Sequence, residues 1–376
     1  MSREHVDPGG NRSILGGADP STKIDPKNGV REEASDMPCA FEHPSANKEG
    51  CTFAVAEGNL VALAGQTWCI YHLPISGRDG TQSPKADYGA APIADFNAKV
   101  FAYIDERAGE PGQTTLDLSG VVFPGPINFT GRIMSAVLFS HAYFHGGAYF
   151  SDAQFLAAAS FAAAHFADLA YFSEASFVGE VDFTDTRFGG VTSFVHAHFA
   201  QHTRFAGAQF ADVASFSEAR FAGIVDLAGV RSADDVSFTD VRFGGRASFA
   251  DVHFGEDALF EHARFGAEAF FANAYFGRDA VFANTQFNAY ADFTDARYYG
   301  NADFSVTPFD RSAQPPMENC AFQRVCFVGA DFGRTTTFSH RPFQETSDFT
   351  RCVFVVAPVL QGCTFYDATA LPESAA

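Results

Sequence analysis

From Val137 to Phe309 an aromatic ring returns after five residues and then after six, and a small residue stands two positions before it. The ring positions run Phe139, Phe144, Phe150, Phe155, Phe161 and Phe166, keep the beat to Phe221, and resume from Phe238 to Phe309 with Tyr298 among them. The small positions begin Ala142, Ala148, Ala153 and Ala159 and later take Val181, Thr186 and Thr192. Side chains two apart share one face of a strand. Each unit therefore reads as a three-residue strand, with its Gly, Asp, Asn, Ser, Glu and His residues forming a corner. No unit can bury its ring alone, whereas coils stacked on coils can, which is the logic of a solenoid.

A helix is excluded, because at about 100° per residue steps of five and six put successive rings on opposite sides. The alternation also bears on the number of sides. With three sides a five-residue corner would lie over a six-residue one; with four, like lies over like every twenty-two residues, so a four-sided coil is predicted. Between Phe221 and Phe238 the beat falls on Leu227 and Ser232, which predicts a weak point at Leu227 to Val236.

Outside this stretch the texture changes. Residues 1–35 are rich in Gly, Pro, Asp, Asn, Ser and Lys and are expected to be a disordered tail. Residues 36–90 gather Cys39, Cys51, Trp68, Cys69 and His72 and read as a small module. Residues 91–110 read as an amphipathic helix, with Pro92 at its start, Ile93, Phe96, Val100 and Ile104 near one face and Gly109 past its end. An open solenoid end exposes strand edges, so this helix is expected to cap the first coil. The array itself is expected over 116–309, interrupted by a loop at 310–319 that contains Pro315 and Pro316. Last coils follow over 320–365, then a loose tail at 366–376.

These units, as in Phe139-Ser-His-Ala-Tyr-Phe144-His-Gly-Gly-Ala-Tyr-Phe150, resemble the Phe-rich variant of the pentapeptide-repeat proteins. The resemblance implies an all-β fold, a right-handed quadrilateral parallel β-helix. The extra residue in every second unit departs from the family's uniform five and leaves the corner turns to be determined.

The formal net charge of −20 argues against a nucleic-acid or anionic membrane surface as partner. No apolar run has the character of a secretory signal or a membrane span, so a cytoplasmic setting with reduced thiols is expected. Cys69-Ile-Tyr-His72 has the tight gap by which one loop places two ligands on a metal. With Cys39 and Cys51 it predicts a three-Cys, one-His zinc site, in a segment too small to fold on its own core. The segment is also similar to the Cys/His knuckles that precede some Phe-type arrays. His43 is a rival ligand, and thiols without a metal are the alternative reading. Cys320, Cys352 and Cys363 fall in the small slot and read as inert packing, while Cys326 falls on an outward position.

Gly189-Gly190 and Gly244-Gly245 lie at corners and carry no nucleotide fingerprint, and the recurrent Ser residues before rings read as small polar fillers. Asp152, Glu174, Glu218 and Asp240 share one corner row, as a solvated edge or an acidic docking stripe. His196, His198 and His202 crowd one coil, where solvated His is commoner than a metal site. On a twenty-two-residue coil Arg220, Arg242 and Arg264 stack on one face, a candidate binding surface for an acidic partner that Glu218 and Asp240 could partly neutralise.

Three functions follow. The first is a non-catalytic scaffold that binds a protein partner, a homodimer being one form of it. The second, drawn from the family resemblance, is a DNA-mimicking inhibitor of a type II topoisomerase. From Leu116 to Phe309 there are 22 acidic and 10 basic residues, a difference of −12, and over about nine coils at ~4.8 Å each this is half the charge density of a duplex. The third, an enzyme of the polysaccharide-lyase kind, lacks the long irregular loops that build a cleft.

Overall fold

The computed structural model describes residues 39–42, 51, 53, 60–108, 115–306 and 322–367. All of them fall in one compact unit, Pro38–Ala376. The expected tail at 1–35, the loop at 310–319, His43 and Cys320 lie outside the described residues.

From Thr115 onward short parallel strands wind into a four-sided solenoid. Strand partners lie twenty-two residues apart, as in Gln154 with Ser176 and His165 with Arg187. The four sides of one coil are Gln154–Phe155, Ala159–Ser160, His165–Phe166 and Ala170–Tyr171, here called the first to fourth faces. Eleven strands stack on the third face and ten on the fourth. Three seven- or five-residue strands, Gln286–Asp292, Phe322–Cys326 and Pro342–Asp348, run round the corner between the first and second faces with shifted register. The last strand, Thr364–Asp367, extends the array past the expected end at 365.

The rings fill the core. Rings one coil apart stack face to face, as in Phe150–Phe172 at 4.8 Å and 1°. Rings on opposite sides meet edge to face, as in Phe161–Phe172 at 5.4 Å and 86°. At a centroid separation of 4.8 Å the parallel pairs, like the edge-to-face pairs, fall within the range of favourable ring contacts and add to the gain from burial. The alanines of the small slots, such as Ala142, Ala153 and Ala164, have no exposed surface.

The alternation of five and six is an alternation of corners. In a five-residue unit the ring carbonyl accepts from the small residue three positions on, Ala142 N–H to Phe139 O at 3.0 Å. The residue between them is left-handed, with φ of 57° at His141 and 58° at Asp152, the signature of a type II turn. The row Asp152, Glu174, Glu218, Asp240 is therefore made of turn residues, interrupted by His196 with φ of 57°. Six-residue corners have no positive φ. Glycine serves close approach there: a Cβ on Gly245 would stand 2.5 Å from the Gly223 carbonyl oxygen of the coil before.

Several polar residues in the small slot satisfy their hydroxyls within the coil, as Thr192 does on Gly190 O at 3.1 Å and Thr203 on Gln201 O at 3.3 Å, or by reaching the neighbouring coil. Thr186 and Thr285 donate to the carbonyls of Phe161 and Phe260 at 2.7 Å. Cys352 and Cys363 do the same to Phe327 and Phe338 at 2.8 Å. Burial pushes the Cys352 thiol up to about 12 and raises that of Cys363, which keeps both protonated as donors. Arg341 breaks the small-residue rule. Its fully buried guanidinium donates to the carbonyls of Phe304, Thr285 and Phe282 at 2.7, 2.6 and 3.0 Å, and tethers its coil to those before it.

At the weak point the register holds. Ser232 pairs with Phe210 on one side and Phe254 on the other. Other stacked pairs of this column lie within 2–7° of parallel. Phe254, next to the missing ring, tilts 41° against Phe276. Ser232→Phe is expected to restore the stack and raise stability by about 1 kcal/mol, less than the ~1.5–3 kcal/mol of full burial because Phe254 must turn back. Thermal unfolding of the variant checks this, and a lowered midpoint would show that the gap is not ring-shaped.

Candidate metal centre and outward faces

Before the solenoid, strands β1 (Leu60–Leu63) and β2 (Gln66–Cys69) form an antiparallel hairpin closed by Ala64 and Gly65, both at positive φ. Such a two-residue turn matches the twist of the strands it joins. β2 ends on Cys69, and the chain turns back at once, Leu73 N–H donating to Cys69 O at 2.9 Å. This turn brings His72 beside Cys69. Helix α1 (Ala90–Ala108) follows.

The helix caps the first coil through its buried Phe96, Val100 and Ile104. Phe96 meets Phe123 edge to face at 6.1 Å and Phe101 meets Phe129 at 5.4 Å. Asn97 donates to Pro126 O at 2.8 Å, and Asp105 pairs with Arg132 at 2.9 Å. Lys85, in a short 3-10 turn (Pro84–Asp87), is buried and donates to Tyr71 O and Val122 O, with its ammonium 4.6 Å from the Phe96 ring. Burial pushes its pKa down to about 7. It joins the hairpin segment, the helix and the solenoid.

The structure brings Cys39, Cys51, Cys69 and His72 together, with their ligand atoms all within 4.8 Å of one another. The Sγ atoms of Cys51 and Cys69 lie 3.6 Å apart. His72 Nδ1 lies 3.3 Å from Cys69 Sγ and 3.7 Å from Cys39 Sγ. Metal–sulfur bonds of about 2.3 Å and metal–nitrogen bonds of about 2.0 Å in a tetrahedron require edges of this length. Without a cation the crowded thiols cannot all ionise. Hydrogen bonds from Cys51 and Cys69 hold Cys39 far below the ordinary thiol range, and Cys39 in turn raises Cys51 and pushes Cys69 up to about 11.

The surroundings orient these donors. His72 Nε2 lies 3.0 Å from the Ser119 carbonyl, which accepts a hydrogen bond from Nε2–H and leaves Nδ1 as the ligand atom. Cys69 N–H donates to Cys39 Sγ at 3.3 Å. Phe41 stacks on the His72 ring at 3.9 Å. Phe41 also lies where a Cβ on Gly120 would be, and Gly120 is left-handed at φ 67°. The centre is thus fastened to the first coil at Ser119 and Gly120.

On the first face Arg220, Arg242 and Arg264 stand in register on successive coils, after His198. Several other array arginines have partners: Arg204 reaches Glu180 at 3.0 Å, Arg278 reaches Glu256 at 2.7 Å, and Arg246 lies over Phe270. None of the three stacked arginines has an ion pair, and Glu218 approaches His196 at 3.5 Å instead of the row. The three histidines do not converge: His196 is a corner residue, His198 is on the first face, and His202 lies 3.3 Å from Arg204. Among the described residues the Cys39 cluster alone gathers three or more metal-ligating side chains, and no helix is long and apolar enough to cross a membrane.

Fold and site define a four-sided parallel β-solenoid whose first coil is capped by a helix and a Cys3His centre able to hold a metal ion. The family described as pentapeptide repeats (9 copies) matches residues 139–187, 172–220, 183–231 and 216–264. Residues 139–264 are thus matched as pentapeptide repeats, and the coils on either side continue the register. No curated protein and no solved structure matches it.

Proposed function

We propose that the protein is a non-catalytic scaffold whose first face docks an acidic region of a protein partner. The observation that carries this reading is the row Arg220, Arg242, Arg264: three arginines in register on successive coils, whose strands lie about 4.8 Å apart, none with an ion pair, in a chain of net charge −20. Like charges opposite one another in a ladder are destabilising, and an anion supplied from outside relieves that repulsion and sets the docking register. The Cys3His centre takes zinc as a closed structural site, because thiolate and imidazole in a tetrahedron suit that ion and leave no open position. Such thiols persist in a reducing, cytoplasmic setting. The topoisomerase reading is weaker, since a duplex mimic needs negative charge where this face is positive.

Replacing Arg220, Arg242 and Arg264 together by Gln is expected to change stability by less than about 0.5 kcal/mol, as surface substitutions do. The variant should lose an acidic partner that the unaltered chain captures from native extract. The difference should shrink as salt rises, because about 0.1 M salt screens beyond ~10 Å. Undiminished capture by the triple variant would end this reading.

A further inference from the structure

The third face carries a second basic column, on the opposite side of the coil from the first. Gln209 is its centre. Arg187 and Arg231 stand one coil away on either side, His165 and His253 two coils away, and Tyr143 and Tyr275 three. The column reads the same in both directions. Arg187 and Arg231 are exposed and have no ion pair. Of the acids beside this face, Glu256 holds Arg278 at 2.7 Å, and Asp212 and Asp234 accept from the N–H groups of Val213 and Asp235 at 2.7 and 2.8 Å.

Around the two guanidiniums the face is concave. A groove of about 430 Å³ is floored by Gly189, Ala211, Ala233 and Gly255 and rimmed by the Arg and His side chains, a volume within the range of ligand sites. The floor is low because small residues, Gly189, Ala211, Ala233 and Gly255, follow positions 188, 210, 232 and 254 on this stretch of the face.

We propose that this groove binds an acidic peptide segment in polyproline II conformation, with carboxylates three residues apart. Arg187 and Arg231 are separated by two coils, ~9.6 Å. A polyproline II chain has three residues per turn and rises ~3.1 Å per residue, so side chains three apart project on one side at ~9.3 Å. Same-face side chains of an extended strand repeat at ~6.7 Å and do not match. Guanidinium groups take carboxylates with two parallel hydrogen bonds. Gln209, midway, can both donate to and accept from a peptide backbone that has no internal hydrogen bonds. Tyr275 stacks on His253 at 4.1 Å and meets Tyr299 at 4.8 Å, and Tyr143 meets His165 at 4.8 Å. These rings give proline the aromatic surface on which such segments dock. The site differs from the first-face row in position and in the ligand it selects.

The test measures fluorescence anisotropy of the full chain with a labelled peptide Pro-Glu-Pro-Pro-Glu-Pro. Its controls are the Gln counterpart, a Glu-Thr-Glu peptide of equal charge, and an oligouridylate. The first peptide should bind best, and its affinity should fall about tenfold in Arg187→Gln, about tenfold in Arg231→Gln, and severalfold in Arg187→Lys, which keeps charge without the fork. Arg242→Gln on the first face should leave binding unchanged, which separates this site from the first-face docking surface. Circular dichroism verifies that each variant is folded. Equal affinity for the Gln peptide, preference for the oligouridylate, an equal loss in Arg242→Gln, or no binding in the millimolar range would each overturn the proposal.

Discussion

Removing zinc from the native protein is expected to release the segment around Cys39–Leu73 while leaving the solenoid folded. The purified chain should contain one zinc ion, and Cys51→Ser or His72→Ala should abolish it. The segment's buried apolar residues are few, Phe53, Leu63, Cys69 and Leu73 among those described, so its order is expected to depend on an ion held by the four side chains. Structural zinc contributes on the order of 10–16 kcal/mol of apparent binding energy in small domains that are unfolded without it. The solenoid has its own stacked core and does not share that dependence. Trp68, the single tryptophan, lies in β2 directly before Cys69, and its fluorescence should change on chelation while the β signal in circular dichroism persists. Absence of zinc on elemental analysis, with Cys39, Cys51 and Cys69 reacting freely in the native state, would contradict the assignment.

The second large effect is expected from a single ring in the middle of the stack. Phe194 is fully buried. It stacks on Phe172 and Phe216, each at 4.9 Å, and meets Phe183 and Phe205 edge to face at 5.4 Å. Phe194→Ala removes both kinds of contact at once, and the backbone ladders above and below hold the coil spacing, so the cavity cannot collapse. The expected cost is about 3–5 kcal/mol. Coils couple only to their neighbours, so denaturant unfolding should also become less cooperative, with a lower slope. Phe194→Leu should cost less than half as much. A loss below about 1 kcal/mol for the Ala variant would mean that ring stacking does not hold the coils together.

Much of this architecture is legible in the sequence, for a physical reason. A coil that repeats its ring every five and six residues has one arrangement in which like corners lie over like, and Gln154 over Ser176 is that arrangement. The pairing of Cys69 with His72 in the Cys/His cluster is legible through their two-residue gap, because one tight turn can present both side chains. What the sequence withholds is the way the ends are joined. Nothing in the spacing of His72 and Ser119 says that the carbonyl of one will accept a hydrogen bond from the ring of the other, or that Phe41 will occupy the space a side chain at Gly120 would need.

Charge is the hardest part to read. The step of twenty-two residues that isolates Arg220, Arg242 and Arg264 isolates Arg187 and Arg231 equally well. Only the structure distinguishes arginines engaged by Glu180 or Glu256 from those that have no ion pair. The acidic row at Asp152 and Glu174 looks like a docking stripe in sequence, yet its members occupy left-handed turn positions. There the backbone, rather than a partner, accounts for a short polar side chain.

Both basic columns exist only if one turn of the solenoid takes twenty-two residues, and the distance between spin labels along the first face measures this directly. Labels at Gln154 and Arg242 lie four turns apart and should be separated by about 19 Å between backbones, and labels at Gln154 and Arg264, five turns apart, by about 24 Å. The account predicts that the second distance exceeds the first by one coil spacing. Two equal distances, or a second shorter than the first, would contradict the coil and both binding faces with it.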